Sequence, residues 1–459
     1  MRVSFVWLGL LVASPLLSFA QSTLSLEQAV QLALEQNFDI RIARNNQAVA
    51  TNDVTWGNAG FLPRVTINGA YNINQQNRRL QSFALRDSTG AITGTDLTVV
   101  KNVDSKAGNA NVQIAYTLFD GLRRTAFWER LKLLNQNTNL ATAQAVERVV
   151  NDVIVAYYDI IRQEQTLRLQ QGAVALATER SKLAQDREEV GAGTRLDYLQ
   201  SRVDLNAANS ALLRQRGSLA TALVNLNELL GRSPDTGITL ADTSIAVDTL
   251  LVQDQLMREL EQRNPSLLSA ALGIRIAEKT LSETRGALLP TLSFTAGYTF
   301  AQQLAGQLAQ GFNQFPLFTQ TLGPQVGVQL TYPIFDGNNV RRRVQNARTA
   351  QATAQLVQMQ TLLAQQSGLS RAWVRYRNNL AVLALESENL AVAARSVEVA
   401  VDRFKIGAST GLDLRTAQNA LVDARGRLVQ AQYDAKLAET ELLRISGAYA
   451  SPAGPARLK

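Results

Sequence analysis

The chain is written twice. Val112-Gln113-Ile114-Ala115-Tyr116-Thr117-Leu118-Phe119-Asp120-Gly121 returns as Val328-Gln329-Leu330-Thr331-Tyr332-Pro333-Ile334-Phe335-Asp336-Gly337, a displacement of 216 residues. The same displacement carries Asp186-Arg187 to Asp402-Arg403, Gly191 to Gly407, Thr194 to Thr410, Asp197 to Asp413 and Gly231 to Gly447. Upstream the displacement is 227: Gly60-Phe61-Leu62-Pro63 answers Ala287-Leu288-Leu289-Pro290, Tyr71 answers Tyr298, and Asn37 answers Asn264. The first copy therefore carries about eleven extra residues between Tyr71 and Phe119, expected in the loop between two strands. One register held across residues 112–231 is a duplication, and whatever the chain folds into, it builds each element twice. The repeats are expected over 21–231 and 254–447, with a Pro-, Asp-, Thr- and Gly-rich joint at 232–253 and a flexible tail at 448–459.

Each copy holds two segments of period-two alternation, the mark of a strand with one apolar and one polar face. Val65, Ile67, Gly69, Tyr71 and Ile73 alternate with Thr, Asn and Ala; Ala110, Val112, Ile114, Tyr116 and Leu118 alternate with Asn, Gln, Ala and Thr. In the second copy the apolar positions are Leu292, Phe294, Ala296, Tyr298 and Phe300, then Val326, Val328, Leu330, Tyr332 and Ile334. A soluble sandwich with one wet face would also alternate. Here the polar face is almost uncharged, aromatics recur on the apolar face, and about ten residues suffice for a tilted strand to cross a bilayer. Four strands cannot close a membrane barrel, and an open edge in lipid is forbidden, so several chains must share one. Two copies would give eight strands and a filled interior; three would give twelve and leave a bore.

Between the strand pairs run two stretches without proline, about Leu122 to Glu189 and Val340 to Lys405, predicted as helices of roughly 100 Å each. The returning helices carry 3–4 spaced seams. One is Leu414, Ala417, Leu421, Ala424, Leu428, Ala431, Ala435, Ala438, Leu442 and Ile445; its twin runs from Tyr198 to Leu229 with polar lapses at Ser201 and Gln215. Narrow apolar seams between Gln-rich faces suit a coiled-coil wall one helix thick and wet on both sides. Shorter helix–break–helix pieces are expected at Ser25–Asn37 and Asp39–Gly60, and at Asp254–Arg263 and Ser266–Gly286, with Asn37 and Asn264-Pro265 as start signals.

The N-terminus, with Arg2, an apolar run over Val6–Ala13 and small residues at Ser18 and Ala20, reads as a signal peptide over 1–20. The run is too short for a retained membrane anchor. The chain has no Cys and no His, which removes disulfides, thiol chemistry and the commonest general base and metal ligand. No catalytic or metal site and no cofactor is expected. The formal charge of +8 is spread along helical segments, a pattern of solvated faces rather than a nucleic-acid surface.

The sharpest motif is the reversal between outgoing and returning helices: Val190-Gly191-Ala192-Gly193-Thr194-Arg195-Leu196-Asp197 and Ile406-Gly407-Ala408-Ser409-Thr410-Gly411-Leu412-Asp413. Gly191 and Gly407 suit left-handed C-caps, and Thr194/Asp197 and Thr410/Asp413 suit N-terminal capping pairs, a complete structural account in itself. These turns, the Phe-Asp-Gly that opens each long helix and the doubled four-strand layout together resemble the TolC family of outer-membrane efflux proteins, over about Leu24 to Gly447. The resemblance implies a homotrimer whose twelve-stranded outer-membrane β-barrel, four strands per chain, continues as an α-helical coiled-coil barrel in the periplasm. It implies an export duct of a tripartite efflux or type I secretion system, working with a periplasmic adaptor and an inner-membrane pump of RND, ABC or MFS type. It further implies adaptor docking at Val190, Gly191, Thr194, Ile406, Gly407 and Thr410, and a periplasmic gate at Asp413 with Asp197, Arg403 and Phe404 nearby. The sequence departs from the family at three places: Thr416 replaces a second acid, Phe404 a tyrosine, and Ser409 a basic residue, while Arg195 appears in the first turn. The closed-state latch is accordingly either rebuilt or weaker. The rival of a different class is a soluble periplasmic coiled-coil adaptor or scaffold, which shares the helices but needs no matched strands.

Overall fold

The computed structural model describes residues 23–86, 88–304, 318–406 and 408–449. The expected signal peptide lies outside the described residues. Helix α1 spans Leu26–Gln36 and α2 Phe38–Asp53; strands β1 (Arg64–Arg86) and β2 (Ile92–Phe119) follow, then α3 (Arg123–Glu189) and α4 (Arg195–Leu229). The second copy gives α5 (Gln253–Arg263), α6 (Pro265–Gly286), β3 (Thr291–Leu304), β4 (Phe318–Thr331), α7 (Asn339–Lys405) and α8 (Gly411–Ile445), the same order again.

The chain divides into two compact units, and both copies contribute to each. One unit, residues 48–137 and 271–358, holds the sheet. Its four antiparallel strands run in the order β1-β2-β3-β4, so the two copies are joined by the β2–β3 ladder and β1 and β4 are the edges. The register puts like with like: Ile67 faces Val112, Val112 faces Tyr298, Tyr116 faces Phe294, and Phe294 faces Val328. Between them Asn68 faces Asn111 and Asn111 faces Thr299. One face is thus apolar across all four strands, and on it Ile67, Tyr71, Val326 and Val328 are exposed.

Three expectations about the strands and their flanks are corrected. The extra residues of the first copy extend the ladder instead of forming a loop: β1 and β2 stay paired from Arg64↔Ala115 to Arg86↔Ile92, with register shifts after Gln76 and Ser82. Extended backbone can keep adding hydrogen-bonded pairs wherever no proline or helix signal stops it, and none lies between Tyr71 and Phe119. The last strand ends at Thr331, so Tyr332 and Ile334 fall outside it; Pro333, where the first copy has Thr117, has no N–H for a ladder. Helix α2 stops at Asp53, and turns fill residues 54–60, ending at Gly60 with φ +78°.

The Phe-Asp-Gly motif is the corner between sheet and helix. Gly121 and Leu122 both have positive φ (73° and 64°), as do Gly337 and Asn338 (70° and 61°). The preceding Asp caps the helix: Asp120 Oδ2 accepts from the Arg124 N–H at 3.0 Å, and Asp336 Oδ2 from that of Val340 at 2.8 Å. Gly121 is pressed so closely on Gly286 that a Cβ would lie 2.2 Å from the Gly286 carbonyl oxygen.

The other unit, residues 1–47, 138–270 and 359–459, holds the main core. Ile154, Tyr157 and Ile161 of α3, Leu226 of α4, Leu260 of α5, Leu369 and Tyr376 of α7 and Leu442 of α8 are all but fully buried there. Of the predicted seams, Ala438, Leu442, Ile445, Ala222 and Leu226 belong to this core, and Ala424, Ala431, Ala435 and Leu212 are buried along the same helices. The polar lapse Gln215 is answered by Gln163, whose side-chain oxygen accepts from it at 2.7 Å.

The joint at 232–253 is also packed. Leu240 and Ile245 are buried, Leu240 bridges Leu24 in parallel, and the Tyr157 hydroxyl donates to Asp242 at 2.7 Å. Of the expected tail, Tyr449 is buried in the core with Ala448 packed against it, because an aromatic side chain gains more by burial than by solvation. Residues 450–459 lie outside the described residues.

Candidate functional site: the helix-reversal turns

Each reversal is built by its own cap chemistry. After α3, Gly191 turns left-handed (φ +72°), and the Ala192 and Gly193 N–H groups both return to the Arg187 carbonyl, at 2.8 and 2.9 Å. These bonds satisfy carbonyls that the helix end would leave orphaned. Thr194 then caps α4, its hydroxyl accepting from the Asp197 N–H at 3.1 Å and donating to the Asp197 carboxylate at 2.7 Å.

The second turn repeats the plan, with Ala408 N–H returning to the Arg403 carbonyl at 2.8 Å. Thr410 and Asp413 form a complete capping box: Asp413 N–H to Thr410 Oγ1 at 3.3 Å, and Thr410 N–H to Asp413 Oδ2 at 2.9 Å. Gly407 lies outside the described residues. The backbone and hydroxyl bonds from Thr410 hold the exposed Asp413 carboxyl below its usual pKa, with Arg403 adding a smaller pull the same way. The cap therefore favours the ionised form of Asp413.

The turns expose aliphatic side chains in matched pairs, Val190 with Ile406 and Leu196 with Leu412. Phe404 is half-buried near Gly411, where a Cβ would lie 4.0 Å from its ring. Arg195 is engaged within its own hairpin: it pairs with Glu188 at 3.1 Å and stacks over the Tyr198 ring at 5.4 Å. Among the described residues no hydrogen bond or ion pair joins Asp197 to Asp413, Arg403 or Phe404.

What joins the two hairpins near the turns is a group that sequence reasoning missed. Arg415 of α8 pairs with Asp204 of α4 at 3.4 Å, and Arg180 of α3 donates to Gln418 of α8. These partners are more than 200 positions apart in sequence, and no local spacing announces them. Among the described residues no group of carboxylates gathers as a metal site would, and no helix is long and apolar enough to cross a membrane.

A four-stranded sheet with an exposed apolar face and two open edges, together with paired helical hairpins of 67 and 35 residues, defines one subunit of a β-barrel channel with a helical extension. The comparisons with known proteins agree. The profile of the family described as "Outer membrane efflux protein" matches residues 29–232 and 256–448, and the chain belongs to that family. It is 24% identical to the outer membrane efflux protein BepC of Brucella suis biovar 1, over 92% of this chain and 85% of the relative. It is also 24% identical to the alkaline protease secretion protein AprF of Pseudomonas aeruginosa, over 90% of this chain and 82% of the relative. Its fold matches the outer-membrane channel OprN with a TM-score of 0.72 and 19% identity, over 93% of this chain and 91% of that one.

The chain is thus an outer-membrane export duct with its helical part in the periplasm, and the soluble-scaffold reading gives way. The fold is that of a trimeric channel in which each chain supplies four strands of a shared barrel, and the family's members are channels that work with periplasmic adaptors and inner-membrane pumps.

Proposed function

We propose that the two turns form both the gate and the adaptor-docking end of the duct, and that transport through it is passive. Supporting this is one observation above the rest: each turn leads into a capped helix and nonetheless exposes two large aliphatic side chains. Capped backbone with solvent-exposed Val190, Leu196, Ile406 and Leu412 suits a surface that waits for a partner. Val190, Gly191, Thr194, Ile406, Gly407 and Thr410 would line the docking surface, and three copies of Asp413 would ring the mouth. Asp197, Arg403 and Phe404 would stand beside that ring. Opening is a twist of the hairpins that an adaptor favours by binding the open arrangement better than the closed one.

The pump is of RND, ABC or MFS type, and the duct itself performs no catalysis. Drugs, metals and polypeptides are the candidate cargo classes, in keeping with relatives named for efflux and for protease secretion. Docking is tested by measuring adaptor binding to the Val190→Asp/Ile406→Asp double variant: a charge on each turn abolishes binding, and undiminished binding would refute the docking role.

A further inference from the structure

We propose that the cleft between the first hairpin and the start of α8 receives a carboxylate side chain from the periplasmic adaptor, and that only this one of the two repeat-related grooves does so. The inference rests on the docking role of the turns. The cleft has a volume of about 300 Å³ and is lined by Arg180, Arg187, Asp197, Asp204 and Arg415, with Leu183 and several alanines as apolar wall. Three guanidinium groups therefore meet two carboxylates. Asp197 is committed to Thr194 in the α4 cap, which leaves Asp204 as the one carboxylate balancing the arginines, at 3.4 Å from Arg415. Arg180 hydrogen-bonds the neutral Gln418, and burial, with the charge of Arg415 beside it, holds its pKa below the usual value against a smaller opposing pull from Asp204. Surplus positive charge in a half-buried cleft is costly until an anion arrives, and the planar arginine fork suits a carboxylate above other anions of protein origin.

The repeat supplies the second, independent observation. Displacement by 216 residues takes Arg180 to Ser396 and Asp204 to Ala420, while the position answering Arg415 is Leu199. The positions answering these three therefore carry no charge, while Arg187 and Asp197 are kept as Arg403 and Asp413. The aliphatic rim is kept in both turns, and the added charges of Arg180, Asp204 and Arg415 in only one. In a trimer the two sets of three grooves would then differ by one net positive charge, by which an acidic residue on an otherwise apolar adaptor hairpin can tell them apart. The aliphatic wall favours a protein side chain over a free anion.

The test uses the full-length trimeric channel in detergent and the purified adaptor of its cognate pump, with affinity measured over a range of salt. The Arg180→Gln/Arg415→Gln variant should bind at least about tenfold more weakly, as expected for loss of charged hydrogen bonds, and with a flatter salt dependence. The Asp204→Asn variant should bind several-fold more tightly, because the internal competitor for the arginines is gone. A cross-hairpin strut with no part in docking predicts the opposite, so weaker binding by Asp204→Asn overturns the proposal. Wild-type affinity and salt dependence in the double arginine variant also overturn it; if the Val190→Asp/Ile406→Asp variant then still fails to bind, docking at the turns survives and only the carboxylate is lost. Loss of adaptor binding in the second-copy variant Ser396→Asp, with no effect of the arginine substitutions, would place the carboxylate in the other groove and overturn the proposal. The Arg180→Lys/Arg415→Lys variant, which keeps the charge, controls for folding.

Discussion

The Asn264 side chain donates to the Ile445 carbonyl at 2.9 Å while its oxygen accepts from the N–H groups of Ser266 and Leu267. One amide thus starts α6 and finishes α8. Asn37 does the same in the first copy, donating to Leu229 at 2.8 Å and accepting from Asp39 and Ile40. Replacing Asn264 by Ala removes a cap and orphans a buried carbonyl, a cost of about 2 kcal/mol. Asn37→Ala should cost about the same, and chemical denaturation followed by tryptophan fluorescence would read both. A loss below a few tenths of a kcal/mol at either site would mean that water replaces the amide.

Glu147 of α3 is buried, one of its carboxylate oxygens has no hydrogen-bond partner, and burial raises its pKa from 4.5 to about 7. Arg444 of α8 opposes that shift, but its guanidinium is already held bidentately by Glu441 at 2.7 Å. The folded state thus binds this proton more tightly than the unfolded state. Its contribution is complete below pH 4.5 and is lost as pH rises to about 7. Glu147→Gln should flatten stability over that window and stabilise the protein at pH 8, by on the order of 2 kcal/mol. Parallel pH profiles of the two proteins would show no difference if the carboxylate were hydrated.

The cap favours the ionised form of Asp413, and asparagine removes that charge at nearly the same volume. Asp413→Asn should reduce cation selectivity and block by multivalent cations in planar bilayers, since a ring of one sign favours the opposite ion at a mouth. Conductance and selectivity equal to wild type would take Asp413 out of the ring.

Gly121 and Gly337 occupy the same corner in the two copies but not the same space. Gly121→Ala drives a Cβ to 2.2 Å from the Gly286 oxygen, whereas at Gly337 the nearest atom would be Asn339 Nδ2 at 3.6 Å. The first substitution should abolish trimer formation, read by size-exclusion chromatography with light scattering. The second should leave trimers intact with a backbone-strain cost of roughly 1–2 kcal/mol. Equal behaviour of the two would mean that the close approach at Gly121 can relax.

The duplication, the two periodicities and the cap residues were enough to order the described helices and strands, though not to bound α2 or the last strand, because each is a local signal that the register of the other copy repeats. Strand length was not legible: beyond Ile73 the alternation fades, yet the ladder continues to Arg86, since backbone pairing does not depend on which side chains alternate. The caps at Thr194 and Thr410 were legible for the opposite reason, their donors and acceptors lying three residues apart. Arg180, Asp204 and Arg415 were not, because ion pairs across hairpins are set by tertiary packing. Their one trace in the sequence is that they are where the copies disagree.

The two open edges, β1 and β4, make the barrel a shared possession. A chain damaged along the outer side of β4 still offers a sound β1 to its neighbour, so it can join a ring that it then fails to close. In a cell making equal amounts of sound and damaged chains, only about one trimer in eight would be free of the defect if assembly is random. Lesions at these edges should therefore act dominantly, whereas lesions that unfold a chain before assembly should be recessive.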